Sequence, residues 1–479
     1  MGRIDDEVFF SSAVDLNRRL TAREFSAVEL ARAFCDRLEK LAPRYNALAL
    51  PLRESAMLAA EKADKEIRRG RTRGVLQGVP CGVKDLLSVA NRPAVWGARP
   101  FMGQVFDRDA AAVSKLSKAG AVLIAKLAMV QLAGGGGYRY ASASLNGPGR
   151  NPWNPDRWSG GSSSGSASAV AAGLVPYALG SETNGSIVTP CAFCGITGLR
   201  PTYGLVSRAG AMALSWTLDK IGPMARTAED CGHILAAISG GDSSDPGSAR
   251  KSFRFAPQFA RPPKMLKFGY SPLDFSQYAA EPLRRPLAEG LDALKKTGVQ
   301  LVETELPDLP YGPAISTIIS AEAATIFADL IRDGRIDSLD DKRQAAGLRA
   351  GLEISAAEYL QAMRVRRLAQ EALNALLSGV DAIVAPARYG VAPHIQEPLD
   401  RPSGAVGANQ ARGTRAVVSA GNLAGLPCLI LPCGFAGESS GRLPVALSIT
   451  GRAFSENTLL RVGLEFQSAT GWHRQRPVV

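Results

Sequence analysis

Histidine is nearly missing from this chain: three residues in 479, at positions 233, 394 and 473, and none beside a nucleophile-like serine motif. Missing too is a G-x-S-x-G elbow followed by an acid and a histidine, which argues against an α/β-hydrolase triad. A serine nucleophile here would need some other base. No run approaches the roughly 18 apolar residues of a spanning helix. The first twenty residues are acidic early and lack a long apolar core, so they read as neither a secretory signal nor an anchor. A cytoplasmic location without membrane association is the expectation. The seven cysteines, scattered from Cys35 to Cys433, do not form the even, spaced set of a secreted disulfide framework. Cys191 and Cys194 have metal or redox spacing, but with no second such pair and so few histidines, no metal site is expected. The net charge is +12, yet the lysines and arginines form no stripe interleaved with stacking aromatics. Nucleic acid is therefore not an expected partner, and the charge reads as solvated surface.

Hydrophobic residues make up 46% of the chain, enough for a sizeable core, and a length of 479 allows one large α/β domain or two to three average ones. The stretch "SAVELARAFCDRLEKL" opens with a capping box, Ser26 with Glu29, and carries Leu30, Phe34, Leu38 and Leu41 at helical spacing. "RDAAAVSKLSKAGAVLIAK" reads as a helix ending near Gly120 and then a short buried strand, and "LRRPLAEGLDALKKTGVQLVE" repeats that grammar around Gly298. A second capping box, Ser355 with Glu358, starts a helix that leads through Gly379 into the strand "DAIVAPA". "MLKFGY", "LPCLILPCGF" and "LPVALSITG" read as further strands. Helix followed by strand, more than once, predicts a layered α/β fold. Residues 240–263, rich in turn formers and charge, read as an excursion between two halves.

The densest unusual feature is "WSGGSSSGSASAV", Trp158 to Val170. A flexible linker would have this composition. The alanine-rich, apolar sequence that follows fits better with a loop that approaches a reacting group and ends on a helix N-terminus. Further on, "GSETNGSIVTPC" sets Ser186 behind Thr183, Asn184 and Gly185 in a tight turn, where successive backbone N–H groups could converge on a developing oxyanion. With histidine unavailable, lysine can act as the base. Its pKa must fall from near 10.4 to about 7 or 8, a bias of about 3 to 4 kcal/mol that burial can supply. In "GVPCGVKDLL", Lys84 stands among apolar neighbours in a strand-like segment.

Taken together, the two serine loops, 24 positions apart at Ser162 and Ser186, and "GVPCGVKD" upstream closely resemble the amidase signature family. So do "NGPGRNPWNPDR", "GLRPTYGLVSRAGAM", "LDKIGPMARTAEDC", "AAEYLQAMRVRR", "NLAGLPCLILPCGF" and "WHRQRP", in the family's order. The resemblance implies one domain over 1–479, an α/β fold whose central mixed sheet is covered by helices on both sides. Its signature region lies at about 75–230 and a variable, pocket-forming region at about 311–353. It also implies a Ser–cis-Ser–Lys triad: Ser186 as nucleophile, Ser162 as the bridging serine with a cis peptide bond, and Lys84 as base. The N–H groups of Thr183, Asn184, Gly185 and Ser186 would form the oxyanion hole, with Ser163 in support. Trp96, Met129 and Tyr138 are candidates to line the pocket or to be ordinary packing.

Departures from the family's pattern shape the expected substrate. Asn184 stands where a glycine is common, Val188 where an arginine is, and Glu182 where aspartate is commoner. Loss of that arginine removes an anchor for acidic substrates. The expectation is therefore an amidase, possessing no cofactor and acting as monomer or homodimer, that cleaves a small neutral amide, anilide or carbamate. Two rivals are the glutaminase-type component of a tRNA-dependent amidotransferase and a catalytically inactive binding member of the family.

Overall fold

The computed structural model describes residues 4–399, 413–437 and 441–479. Thirteen strands are present among them: β1 (Leu48–Pro51), β2 (Pro80–Lys84), β3 (Val122–Leu127), β4 (Arg150–Asn151), β5 (Asn154–Trp158), β6 (Tyr177–Glu182), β7 (Thr197–Arg200), β8 (Lys220–Ala225), β9 (Lys267–Tyr270), β10 (Gln300–Glu303), β11 (Ala382–Pro386), β12 (Cys428–Ala436) and β13 (Leu443–Gly451). All but β4 and β5 join one sheet in the order β1-β3-β2-β6-β8-β7-β12-β13-β11-β9-β10. β3, β2 and β6 run parallel, as do β11, β9 and β10, while the strands between pair antiparallel. The mixed α/β sheet is flanked by helices, as expected for strands whose every residue is buried: β2, β6, β7, β8, β11 and β13 read as near-continuous apolar or small-residue runs.

Local signals shape the elements. Both capping boxes form, Ser26 with Glu29 at the start of the helix Ala27–Tyr45 and Ser355 with Glu358 at the start of the helix Ala356–Gly379. The grammar around Gly120 and Gly298 appears as the helix Ala111–Lys118 before β3 and the helix Glu281–Lys296 before β10. Residues 240–263 contain turns and the short 3₁₀ segment Pro257–Phe259, and a second one, Pro263–Met265, begins at their end. Among the described residues, no helix is long and apolar enough to cross a membrane.

Two consequences bear on the site. Because β2 and β6 are parallel neighbours, Lys84 and Glu182 end their strands on the same edge of the sheet, where open α/β sheets bind ligands. The serine-rich tract is a buried loop and helix, not a linker: all of the helix Ser164–Ala171 is buried. It lies so close to its neighbours that a side chain at Gly165 would come within 2.5 Å of the Ala47 carbonyl and 2.6 Å of the Ala128 amide nitrogen.

Candidate active site

Three side chains from three elements line up at the carboxyl ends of β2 and β6. Lys84 Nζ donates to Ser162 Oγ at 2.7 Å, and Ser162 Oγ lies 3.0 Å from Ser186 Oγ. Lys84 has no exposed surface, whereas Ser186 keeps 9% of its own. The Gly161–Ser162 peptide bond is cis. Burial is what moves Lys84: it brings the ammonium pKa down to about 7, against the opposing pull of Asp219 and Glu182. The adjacent carboxylate does not undo this, because Asp85 is taken up by Lys126 at 2.8 Å and by the Val95 N–H.

The turn after β6 is shaped by Glu182. One of its carboxylate oxygens accepts the N–H groups of Ile187 and Val188, at 2.8 and 2.9 Å; the other accepts from Arg200 (2.9 Å) and from the Asn422 side-chain amide (2.8 Å). Burial alone would raise this carboxyl, but the Arg200 guanidinium and these hydrogen bonds outweigh it and bring the pKa down to about 2. The turn is thereby tied from behind. Gly185 takes φ +92°, a conformation that glycine adopts without cost. The N–H groups of Asn184, Gly185 and Ser186 have no acceptor among the described residues. Thr183 gives its hydroxyl to Asp219 at 2.6 Å, and Asp219 in turn accepts the N–H groups of Leu214 and Ser215. Asn184 is exposed, with Ser419 donating to its side-chain oxygen at 3.3 Å.

Several of these residues escaped the sequence reading. Ser181 is a second partner of Lys84, at 2.9 Å. Ser163, the expected supporting residue, joins the loop to β6, donating to the Ser181 carbonyl and accepting the Ser181 N–H. Nothing local in the sequence marks Glu182 as an anchor, and its partner Arg200 lies in "GLRPT", with no local sign of its role. Val188 is wholly buried. Met129 is core, and Trp96 packs on Phe101 and Phe106; a side chain at Gly161 would meet the Tyr138 hydroxyl at 3.2 Å. Cys191 and Cys194 are buried on the helix that follows Ser186.

The 311–353 region sends two buried side chains, Glu322 and Gln344, against segments near the site. Glu322 accepts from Ser215, Thr217 and Tyr359, fixing the segment that carries Asp219. The Gln131 side-chain amide donates to the Gln344 side-chain oxygen at 2.8 Å, and the Gln344 amide donates to the Gln131 backbone carbonyl at 2.9 Å. A cavity of about 200 Å³ reaches Ser181 and Thr183.

A hydroxyl between a lysine and a second hydroxyl, beside unpaired backbone N–H groups, has the composition of an acyl-transfer site. Comparison with known proteins gives the lineage. Residues 29–460 match the Amidase family, and the chain belongs to it, among the amidase signature enzymes. A glutamyl-tRNA(Gln) amidotransferase subunit of Aromatoleum aromaticum is 36% identical over 98% of this chain and 99% of its own. The native peptide amidase of Stenotrophomonas maltophilia superposes with a TM-score of 0.82 at 31% identity, covering 98% of both chains. A bacterial aryl acylamidase of the amidase signature family shares the fold, with a TM-score of 0.83 at 21% identity over 98% of this chain and 99% of that one.

Proposed function

We propose that the protein hydrolyses the C–N bond of a small neutral amide, anilide or carbamate through an acyl-enzyme on Ser186. The observation that carries this reading is the row Lys84–Ser162–Ser186, closed at 2.7 and 3.0 Å around a lysine that burial holds near neutrality. Hydroxyls both donate and accept, so the same row carries a proton either way. Neutral Lys84 takes the Ser162 proton as Ser162 takes that of Ser186, and Ser186 Oγ bonds to the carbonyl carbon. The carbonyl oxygen, now anionic, is met by the N–H groups of Thr183, Asn184, Gly185 and Ser186. As the C–N bond breaks, the proton returns through Ser162 to the leaving nitrogen. Water then attacks the acyl carbon, losing its proton to the relay, and the acid departs with Ser186 restored. Ser163 supports the loop. The unit acts as a monomer or homodimer, one domain over 1–479.

The wholly buried Val188 supports a neutral substrate, since no cation stands at that position. The test is hydrolysis of matched neutral and carboxylated amides, anilides, carbamates and esters, with fluorophosphonate labelling of wild type and Ser186→Ala. Labelling confined to wild type together with neutral preference supports the reading; preference for the acids sinks the substrate class.

The curated relatives carry a second reading. Proteins named as glutamyl-tRNA(Gln) amidotransferase subunits match at 34 to 36% identity over 98% of this chain. Under it, the same site would release ammonia from glutamine for a partner protein. Glutamine hydrolysis that needs a copurifying protein would favour it.

A further inference from the structure

The relay defines on which side of Ser186 the leaving group must lie. A departing nitrogen takes its proton from Ser162, and Ser162 is served by Lys84, whose other hydrogen bond goes to Ser181. Ser181 and Thr183 both line the cavity of about 200 Å³, and Ser181 keeps 8% of its surface, so the cavity comes up to the hydrogen-bond partner of Lys84 and to the start of the turn that carries Ser186. Its apolar walls are Leu86, Ala133, Met212, Leu214, Trp216 and Ile221, and Asp219 and Lys220 also border it. The pairing of β6 with β8 sets Ser181 directly across from Ile221, which fixes this wall against the relay. The outer end is polar, with Arg208 and Asp245 paired at 2.5 Å and Trp216 43% exposed.

An apolar cavity of roughly 150 Å³ is enough to admit benzene. Ammonia leaves the apolar walls uncovered, whereas a branched aliphatic or aromatic amine buries its carbon against them. We infer that this cavity receives the amine half of the substrate, and that the enzyme favours amides and carbamates of a hydrophobic amine of about ring size over primary amides. The inference rests on the amide hydrolysis proposed at Ser186.

Methylamides and isobutylamides of one acyl group separate pocket binding from chemistry, because the two amines have similar basicity. Three additional carbons in the cavity should raise kcat/KM about tenfold or more for the isobutylamide. The reverse reaction reads the cavity without amide hydrolysis. With an activated ester of the same acyl group, added amine attacks the acyl carbon, the Ser186 ester bond breaks, and the amine's proton passes through Ser162 to Ser186. Isobutylamine should capture the acyl group about tenfold better than methylamine at equal concentration. Ala211→Phe, which projects into the cavity, should erase both ratios, and Trp216→Ala, at the exposed mouth, should reduce them. Equal kcat/KM for the two amides with equal capture of the two amines, or ratios unmoved by both variants, overturns the inference. Ester turnover and selective capture without any amide hydrolysis would instead sink the amidase reading and leave the cavity assignment standing.

Discussion

Replacing Lys84 with methionine should do more than abolish acylation: it should change how stability depends on pH. In the folded protein Lys84 titrates at about 7, against 10.5 when unhindered, because burial penalises its charge. Between those values the unfolded chain holds a proton that the folded protein does not, so wild-type stability rises with pH across the window, by about 1.4 kcal/mol per pH unit. Below pH 7 the lysine costs the fold its full penalty, about 5 kcal/mol. Lys84→Met removes that penalty and also leaves Ser162 and Ser181 without their shared donor, a loss of about 1 kcal/mol for each hydrogen bond. Those losses do not depend on pH. Urea unfolding of both proteins at pH 7.5 and 9.5 should therefore show the variant's advantage over wild type shrinking by about 2 to 3 kcal/mol. The fluorophosphonate labelling rate of wild type should climb tenfold per unit below pH 7 and level off above it. Parallel stability curves, or labelling indifferent to pH between 5.5 and 8, would refute the neutral-lysine argument.

Two further perturbations probe how the turn is held. Glu182→Gln breaks a buried ion pair with Arg200 and should lower the unfolding free energy by about 3 kcal/mol at pH 7. Because the Glu182 pKa lies near 2, its contribution is complete above pH 4.5 and lost as pH falls from 4.5 towards 2, so the wild-type advantage should close over that window. Gly165→Ala drives a methyl against the backbone of Ala47 and Ala128 and should cost about 1 to 3 kcal/mol while displacing Ser162, read as a lower melting temperature and slower Ser186 labelling.

What the sequence disclosed and what it withheld divide along a physical line. Capping boxes, helix stops at Gly120 and Gly298, and apolar strands are written in residues a few positions apart, and they were legible. The juxtaposition of Lys84, Ser162 and Ser186 was legible only because their motifs resemble those of a known family. Neither route pointed to Glu182–Arg200–Asn422, Asp219–Thr183 or Gln131–Gln344. In each, polar side chains distant in the chain satisfy one another, and their pairing depends on strand order that no local pattern encodes. The apolar cavity was hidden for the same reason: its walls come from separate loops as well as β8.

The carboxylate of Glu182 also puts the site on a schedule. Its guanidinium partner comes from β7, which pairs with β12, and its amide partner, Asn422, is made 240 residues later. A nascent chain that has emerged as far as Ser186 already contains Lys84, Ser162 and every N–H of the turn, yet has nothing to hold the turn in shape. The turn is braced on every side only once Asn422 has also been made, so a truncation that stops before that residue should leave Ser186 unlabelled by fluorophosphonate.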